Sequence, residues 1–337
     1  MLRFGKEEGA NGCGAFAIPA EAKCSWLLLT WCGYGDSNPN AVKHENLNLA
    51  CLPIPSHPHS GFDMKIQIKD DFDLDAIANS GQCFRWKKIK DNEYRIPFKD
   101  QCLYITGSED RRYTLDCDEA SFEGIWRGYF DLDEDYARIR SRIDPEKDPF
   151  LFAAARAGQG IRILRQDLWE TLISFIISQN RNINAITRSV ELLCEAAGEQ
   201  RTDVRGEAFF SFPAPEQICG LSDEQLRKCA LGYRAKYVRA AAQSVVDGSF
   251  CLESCAALNS PSAVRELSSL FGIGPKVAAC IDLFALHHLD AFPVDTWIKK
   301  ALDREYPDGY PREDYSPYNG VYQQYMFAYY RGKAKSD

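Results

Sequence analysis

The stretch Leu270-Phe271-Gly272-Ile273-Gly274-Pro275-Lys276-Val277-Ala278 separates two apolar segments. Apolar residues recur at helical spacing on both sides, at Val264, Leu267 and Leu270 before it and at Val277, Ile281 and Phe284 after it. Gly272 and Gly274 permit a tight turn and a close approach from outside, and Pro275 suits the first position of a helix. The sequence therefore predicts a helix-hairpin-helix at about 262–286. The second helix would begin with free backbone N–H groups that suit a phosphate.

Lys276 is the unusual residue of this stretch, because it falls in the first turn of the second helix. The positive end of the helix dipole disfavours an ammonium there, and burial would lower the pKa further toward a nucleophilic amine. A solvated surface lysine is the alternative. Asp295 follows in Phe292-Pro293-Val294-Asp295, where the next helix is expected to start. A helix N-cap alone would explain it.

This block resembles the helix-hairpin-helix DNA glycosylases and, more narrowly, the 8-oxoguanine DNA glycosylase/AP lyases. Gly-Ile-Gly-Pro-Lys-Val-Ala and Pro-Val-Asp match that family's hairpin, lysine and aspartate in order and spacing. The likeness runs through several motifs from about 64 to 330. It implies that Lys276 attacks the sugar C1′ of a flipped nucleotide while Asp295 stabilises the positive charge on the sugar. A Schiff base then leads to strand cleavage by β-elimination.

Composition is that of an ordinary globular chain: 337 residues, 45% hydrophobic and 26% charged. No apolar run approaches the length of a membrane span, and we expect no membrane contact. The formal charge of −8 argues against a nonspecific polycationic DNA binder, although a local basic patch can still hold DNA. The 13 cysteines form no CxxC pair, which predicts reduced thiols and an intracellular, DNA-associated protein.

We expect no metal site. Iron–sulfur relatives carry four cysteines beyond the catalytic aspartate, whereas no cysteine follows Cys280 here. His57 and His59 lack partners at ligand spacing. The resemblance implies no required cofactor, with a monovalent cation at the hairpin carbonyls.

Three regions are expected in an α+β chain. Residues 1–63 lack periodicity and are predicted to be a dispensable extension, disordered or added by a mis-assigned start codon. Residues 64–150 predict a small antiparallel sheet with few helices, since short alternating segments recur there and those at 94–98 and 102–105 suggest a hairpin. A short helix that opens with acids is expected at 72–78, and Trp126, Tyr129 and Phe130 are expected in the core. Residues 151–337 predict a helical glycosylase domain. In it, a capping box of Ser222 and Gln225 is expected to start a helix for which Gly232 suits the C′ position. We expect a monomer whose partner is double-stranded DNA containing oxidised guanine.

Ser80-Gly81-Gln82-Cys83-Phe84-Arg85-Trp86 matches a signature of the 8-oxoguanine enzymes. The resemblance implies that the Gly81 carbonyl accepts a hydrogen bond from N7–H of the damaged base. Oxidation at C8 converts N7 from an acceptor into a donor, so one fixed carbonyl distinguishes the two bases. A turn glycine before a strand is the alternative. The resemblance also assigns Gln323 to the Watson–Crick edge of the base, and Phe327 and Cys280 to its two faces.

Three further residues match family positions that contact DNA. Asn180 would enter the gap left by the flipped nucleotide, although an asparagine at a helix junction is often a turn former or cap. Tyr233 would unstack the duplex, and Arg234 would recognise the orphaned cytosine. Eukaryotic members carry Arg where this chain has Ala185 and His where it has Trp297, which predicts weaker discrimination of the opposite base.

Two other functions fit parts of the sequence. A non-catalytic helix-hairpin-helix module would bind DNA through the turn alone and would need neither Lys276 nor Asp295. A glycosylase for a different damaged base, such as an alkylated one, would need no lyase step and lacks the hairpin lysine.

Overall fold

A five-stranded antiparallel sheet begins at Asp63, and the computed structural model describes residues 63–333. The predictions for residues 1–63, His57 and His59 lie outside the described residues, apart from Asp63 itself. The strands are β1 (Asp63–Gln67), β2 (Lys87–Lys90), β3 (Glu93–Phe98), β4 (Gln101–Ser108) and β5 (Arg112–Asp116). Their order across the sheet is β1-β5-β4-β3-β2.

Apolar side chains on one face of this sheet form its core, since successive side chains of a strand point to opposite sides and alternate residues share a face. Ile96, Leu103, Ile105 and Leu115 are all buried. β3 and β4 pair from Glu93 opposite Thr106 to Phe98 opposite Gln101, as the sequence predicts for a hairpin.

Short helices lie between and after these strands. They are α1 (Leu74–Asn79), α2 (Glu119–Ser121), α3 (Arg127–Tyr129) and α4 (Tyr136–Ser141), with a π-helical turn at Phe122–Trp126. The Asp73 carboxylate caps α1 by accepting a hydrogen bond from Ala76 N at 2.7 Å, which confirms the predicted helix with an acidic start. Trp126, Tyr129 and Phe130 are buried in this core, also as predicted.

The remainder of the described chain is mainly helical and encloses a second, larger core. Its helices are α5 (Pro149–Ala157), α6 (Leu168–Ser178), α7 (Ile183–Ala197), α8 (Pro215–Cys219), α9 (Asp223–Lys228), α10 (Ala235–Val246), α11 (Leu252–Ala256), α12 (Ser260–Ser269), α13 (Pro275–Phe284), α14 (Thr296–Glu305), α15 (Arg312–Tyr315) and α16 (Asn319–Lys333). A small hairpin, β6 (Gln200–Thr202) and β7 (Ala208–Phe210), interrupts them. The α+β architecture is therefore confirmed. Within the described range, no helix is both long enough and apolar enough to span a bilayer.

The predicted helix-hairpin-helix consists of α12 and α13. Gly274 is the N-cap of α13 and Pro275 its first residue, as the sequence predicts. Gly272 has φ +89°, a left-handed conformation that favours glycine. A Cβ atom there would lie 2.3 Å from the ring of Tyr237, so α10 packs directly against the turn.

One predicted helix end is wrong. The capping box of Ser222 and Gln225 does start α9, as predicted. However, α9 ends at Lys228, and Gly232 is not its C′ residue. Gly232 instead begins a 3₁₀ turn, Gly232–Arg234, that runs into α10. Ala230 has the positive φ of +55° just beyond α9.

Arg162 joins the segments around the sheet to those of the helical core. Its side chain is fully buried and donates hydrogen bonds to the Asp70 carboxylate at 2.7 Å and to the Asp131 and Glu134 carbonyls at 2.6 Å. A buried guanidinium is stable only when its donors are paired, and these contacts pair them. The described residues, 63–333, accordingly belong to one compact unit.

Candidate active site

A cavity of about 140 Å³ lies between the loop before β2 and the helices α6, α7, α13, α14 and α16. The six residues predicted for catalysis and base binding all line it, namely Gly81, Lys276, Cys280, Asp295, Gln323 and Phe327. They come from four distant parts of the chain. Folding therefore brings together a lysine, a carboxylate, an amide, a thiol, an aromatic ring and a backbone turn around one small space.

Lys276 is the second residue of α13, so its amine lies at the positive end of that helix. The side chain is exposed, so the burial that the sequence argument considered for Lys276 is absent. Its Nζ lies 5.7 Å from the ring centroid of Phe175, which forms part of the cavity wall. The amine is thus accessible from outside the protein.

Cys280 follows Lys276 by one turn of α13 and is buried. Burial raises the pKa of the Cys280 thiol, while the charge of Lys276 and a hydrogen bond to it act in the opposite direction. The thiol therefore stays neutral and offers the cavity a small, polarisable wall.

Asp295 is the N-cap of α14. Its Oδ1 atom accepts hydrogen bonds from Trp297 N at 3.0 Å and Ile298 N at 2.8 Å, which fixes the orientation of the carboxylate. The capping role is therefore real. Within the described residues, Asp295 and Lys276 line the same cavity without forming an ion pair.

Gly81 has φ +82° and lies against Phe327, whose Cε1 would be 3.4 Å from a Cβ atom at position 81. The next residue, Gln82, is buried and braces this turn. Its Nε2 donates to Ser80 Oγ and to the Arg162 carbonyl, both at 2.8 Å, and its Oε1 accepts from Leu164 N at 2.8 Å. The backbone of Gly81 is consequently held in place by buried hydrogen bonds.

Gln323 and Phe327 lie one turn apart on α16. Gln323 is buried, and its Nε2 donates to the Pro293 carbonyl at 3.0 Å. Phe327 is half-buried, and the Arg331 guanidinium lies 6.0 Å from its ring centroid. The two side chains offer the cavity an amide and the face of an aromatic ring.

The residues predicted to contact DNA lie outside the cavity. Asn180 and Tyr233 are exposed, Tyr233 to 52%. Arg234, by contrast, is buried. Its Nε donates to the Gln179 carbonyl at 2.8 Å, and its Nη2 also donates to the carbonyls of Gln179 and Asn180. The guanidinium therefore holds the loop that carries Asn180, which adopts φ +51°.

Gly272 and Gly274 differ in their surroundings. The Gly272 carbonyl accepts a hydrogen bond from Gln179 Nε2 at 3.0 Å, which joins the hairpin to the loop of Asn180. A Cβ atom on Gly274 would have no atom within 4 Å. Gly274 is thus the open side of the turn, where another molecule can approach the start of α13.

Sequence reasoning missed several residues that line the cavity. Phe175 and Pro293 were read as part of the core and of a helix-start motif, and Gln324 carried no signal of its own. Arg181 lies in the polar break between α6 and α7, and as its one cation it could have been singled out. Its guanidinium donates to Ser189 Oγ at 2.8 Å. Burial and the charge of Arg234 lower the pKa of Arg181. No cluster of metal-ligating side chains exists among residues 63–333.

Comparison with known proteins adds independent findings. The family model "8-oxoguanine DNA glycosylase, N-terminal domain" matches residues 65–172. The model "HhH-GPD superfamily base excision DNA repair protein" matches residues 173–309. The chain is 34% identical over 228 residues to N-glycosylase/DNA lyase OGG1 of Arabidopsis thaliana, an alignment that covers 65% of this chain but 62% of that protein.

Two further relatives are covered more completely. The N-glycosylase/DNA lyase of Saccharomyces cerevisiae is 32% identical over 264 residues, which cover 71% of this chain and 69% of the yeast protein. The fold is also similar to that of the Clostridium acetobutylicum 8-oxoguanine glycosylase/lyase, solved with double-stranded DNA containing cytosine opposite 8-oxoguanine. That match has a TM-score of 0.73 at 33% identity and covers 81% of this chain and 99% of the other.

Proposed function

This chain belongs to the 8-oxoguanine DNA glycosylase/AP lyase family of the helix-hairpin-helix superfamily, and we propose that it excises 8-oxoguanine from duplex DNA and then cleaves the strand at the abasic site. The observation that carries this proposal is the cavity that Lys276 and Asp295 share with the residues expected to hold a base. A DNA-binding module would need the hairpin but not this cavity.

The chemistry proceeds from an everted nucleotide, whose extrusion costs a few kcal/mol. Deprotonated Lys276 attacks C1′, the glycosidic bond breaks, and the base leaves with the bonding electron pair and takes up a proton. The negative charge of Asp295 stabilises the positive charge that develops on the sugar, a role suited to a carboxylate fixed by two backbone N–H groups. Opening of the sugar ring yields a Schiff base at C1′. Loss of a proton from C2′ then expels the 3′-phosphate.

Recognition of the damaged base falls to the other cavity residues. The Gly81 carbonyl accepts from N7–H of 8-oxoguanine, which guanine lacks. Cys280 and Phe327 cover the two faces of the base, and stacking on the Phe327 ring contributes on the order of 1–3 kcal/mol. Gln323 hydrogen-bonds to the Watson–Crick edge.

The DNA itself is held by the surface beside the cavity. Asn180 fills the gap left by the everted nucleotide, and the exposed Tyr233 wedges into the stack. Arg234 contributes to recognition of the cytosine by holding the loop that carries Asn180. The N–H groups at the start of α13, reached past Gly272 and Gly274, bind a backbone phosphate.

No redox cofactor takes part in these steps. We assign a monovalent cation to the hairpin, whose backbone carbonyl oxygens are donors of the type that hard cations bind. The protein acts as a monomer on intracellular duplex DNA.

Borohydride trapping tests the proposed function. The protein is incubated with duplex containing 8-oxoguanine opposite cytosine, and borohydride reduces any imine to a stable covalent adduct. We expect an adduct from the natural chain and none from Lys276→Gln. Lys299→Gln is the matched control, since Lys299 is exposed on α14 and pairs with Asp303.

Absence of an adduct from the natural chain, or an undiminished adduct from Lys276→Gln, would rule out the lyase mechanism. Duplexes that carry an alkylated base in place of 8-oxoguanine test the alternative that the protein is a glycosylase for a different damaged base. Excision of the alkylated base without strand cleavage would favour this alternative.

A further inference from the structure

Two adjacent glutamines of α16, Gln323 and Gln324, are buried and line the cavity. Gln324 Nε2 donates a hydrogen bond to Gln323 Oε1 at 2.9 Å. Gln323 Nε2 in turn donates to the Pro293 carbonyl at 3.0 Å. The three groups form a chain of hydrogen bonds that ends two residues before Asp295.

The direction of this chain is fixed by its last member. A backbone carbonyl only accepts, so Gln323 must present its nitrogen to Pro293. The Gln323 oxygen is then turned toward Gln324, which must present its own nitrogen. An amide oxygen and an amide nitrogen are nearly the same size, so shape alone would not decide the orientation. Both neighbours of Gln323 therefore select one of its two orientations.

That orientation matters at the edge of a base. The Watson–Crick edge of 8-oxoguanine presents an acceptor, O6, beside the donors N1–H and N2–H₂. The edge of 8-oxoadenine presents the donor N6–H₂ beside the acceptor N1. An amide rotated by 180° exchanges its donor and acceptor, so it would favour the wrong edge.

Building on the function proposed above, we propose that Gln324 is a positioning residue for base recognition. Its Nε2, together with the Pro293 carbonyl, holds the amide of Gln323 in the orientation that suits 8-oxoguanine and thereby adds to the discrimination against 8-oxoadenine. Gln324 acts through Gln323 and need not touch the base.

A second observation separates this role from a purely structural one. Gln324 Oε1 is buried and has no hydrogen-bond partner among the described residues. An unpaired buried acceptor weakens a fold relative to an apolar side chain of the same shape. Gln324 is thus less favourable for stability than an apolar side chain of the same shape. What it supplies to the site is the hydrogen-bond donor Nε2.

The test compares two substrates that share the oxidised five-membered ring. Both 8-oxoguanine and 8-oxoadenine carry N7–H, so the Gly81 contact is the same and only the Watson–Crick edge differs. Single-turnover excision is measured for each base opposite cytosine with the natural chain and with Gln324→Met, which keeps the shape but donates no hydrogen bond. We expect the preference for 8-oxoguanine to fall about tenfold in the variant, the usual effect of one misplaced buried hydrogen bond. The melting temperature should be unchanged or higher.

A second variant covers the case in which Gln324→Met folds poorly. Gln324→Glu keeps the size of the side chain but only accepts, so it draws Gln323 Nε2 away from Pro293 and should lower the preference at least as far. Gln243→Leu, exposed on α10, is the control and should change neither rate.

Each outcome decides a different point. If Gln324→Met lowers the excision rates of both bases equally, so that their ratio is unchanged, the positioning role is overturned while the proposed function stands. Excision of neither base by the natural chain would overturn the proposed function and this inference with it.

Discussion

Asp295 is the N-cap of α14, and the proposed function gives the same side chain an electrostatic role. Both of its hydrogen bonds to the start of α14 go to the same oxygen, Oδ1. An asparagine can keep those bonds, because its amide oxygen also accepts, but it carries no charge. The cap and the electrostatic role can therefore be separated by substitution.

We predict that Asp295→Asn lowers the excision rate at least a hundredfold, the usual effect of losing one group that stabilises a transition-state charge. Its free energy of unfolding should change little. Asp295→Ala should lose activity and also about 1 kcal/mol of stability, because the cap is gone. Single-turnover excision and chemical denaturation measure the two effects. Near-normal excision by Asp295→Asn would refute the electrostatic role.

Ala185 occupies the position where eukaryotic family members carry an arginine. It lies in the first turn of α7 and is half-buried, with its N–H bonded to Asn182 Oδ1 at 2.9 Å. We predict that Ala185→Arg increases the preference for cytosine over adenine opposite the lesion by about tenfold, since a bidentate donor distinguishes bases by about 1–3 kcal/mol. Ala185→Met, long but without donors, is the control. Equal selectivity in Ala185→Arg and the natural chain would count against this prediction.

At the scale of single residues, features that depend on neighbouring residues in the sequence could be predicted. Features that depend on tertiary packing could not. The position of Lys276 in the first turn of α13 and the cap formed by Asp295 both followed from neighbouring residues. The exposure of Lys276 did not, because burial depends on which elements pack nearby. Gln324 could not be found from sequence, since it is linked to the distant Pro293 only through Gln323 and two hydrogen bonds.

Among the elements, the segment after Gly81 is tied to α6 and α7 through Arg85. Its buried guanidinium lies 3.6 Å from Glu170 and 3.0 Å from Glu191, and its Nη2 also donates to the Phe210 carbonyl of β7. Burial raises the pKa of the Glu170 carboxyl to about 7, and the nearby charge of Arg85 acts in the opposite direction. This cluster links the signature segment to the helical core.

Glu170 makes stability depend on pH in a definite direction. The folded protein binds a proton at Glu170 more tightly than the unfolded chain does, so the free energy of unfolding falls as pH rises from the ordinary value of 4.5 through about 7. We predict a loss on the order of 2 kcal/mol across this window, and a flatter profile for Glu170→Gln. Denaturation at pH 5 to 8 measures it. The control is Glu224→Gln, an exposed partner of Lys228, which should keep the natural profile. Identical slopes for the natural chain and Glu170→Gln would contradict the assignment.

Element boundaries were predictable where a side chain caps its own helix. Asp73 and Ser222 are examples, because the signal lies within three residues of the cap. The end of α9 was mispredicted because Gly232 was assigned to a cap, whereas Ala230 adopts the left-handed conformation. The hairpin of β6 and β7 is too short to produce a clear alternation.

The charge of the whole molecule is negative, yet cations without ion-pair partners surround the proposed DNA surface. In the described range, Arg181, Arg227, Lys236 and Lys276 form no ion pair. Lys236 lies 5.7 Å from the ring of Phe271, which is 60% exposed at the hairpin. These four cations can neutralise only a few phosphates.

We predict a weak dependence of DNA affinity on salt. The slope of log affinity against log salt should have a magnitude of about 4 or less, because each neutralised phosphate contributes about 0.9. Lys236→Gln should reduce this magnitude by about 1, whereas Lys299→Gln should not. Binding titrations at several salt concentrations give the slopes. A slope near that of extended cationic binders, of magnitude about 10, would refute the local patch.

Removal of the N-terminal region is the remaining prediction for the whole molecule. A chain that starts at Gly61 retains β1 in full, including the pairing of Asp63 with Asp116. We predict that its melting temperature and its excision rate match those of the natural chain. A large loss of either would show that residues 1–60 contribute to the fold or to the site.

The arrangement of the whole was only partly predictable. The α+β class followed from the change of periodicity near residue 150. The sheet order did not, because the pairing of β1 with β5 joins residues that lie far apart in sequence. The buried hydrogen bonds of Arg162 could not be predicted either, because its partners come from residues 70–71 and 130–134.

The loop of Asn180 has a consequence for how often the protein can act. Its left-handed backbone is held by Arg234 and by the bond from Gln179 to the hairpin, so its ordering is complete once the chain has folded. A preorganised loop loses no further conformational entropy when the protein binds DNA. For the role that we propose for Asn180, the preformed loop avoids this loss at each of the many undamaged sites that a searching protein samples for every lesion.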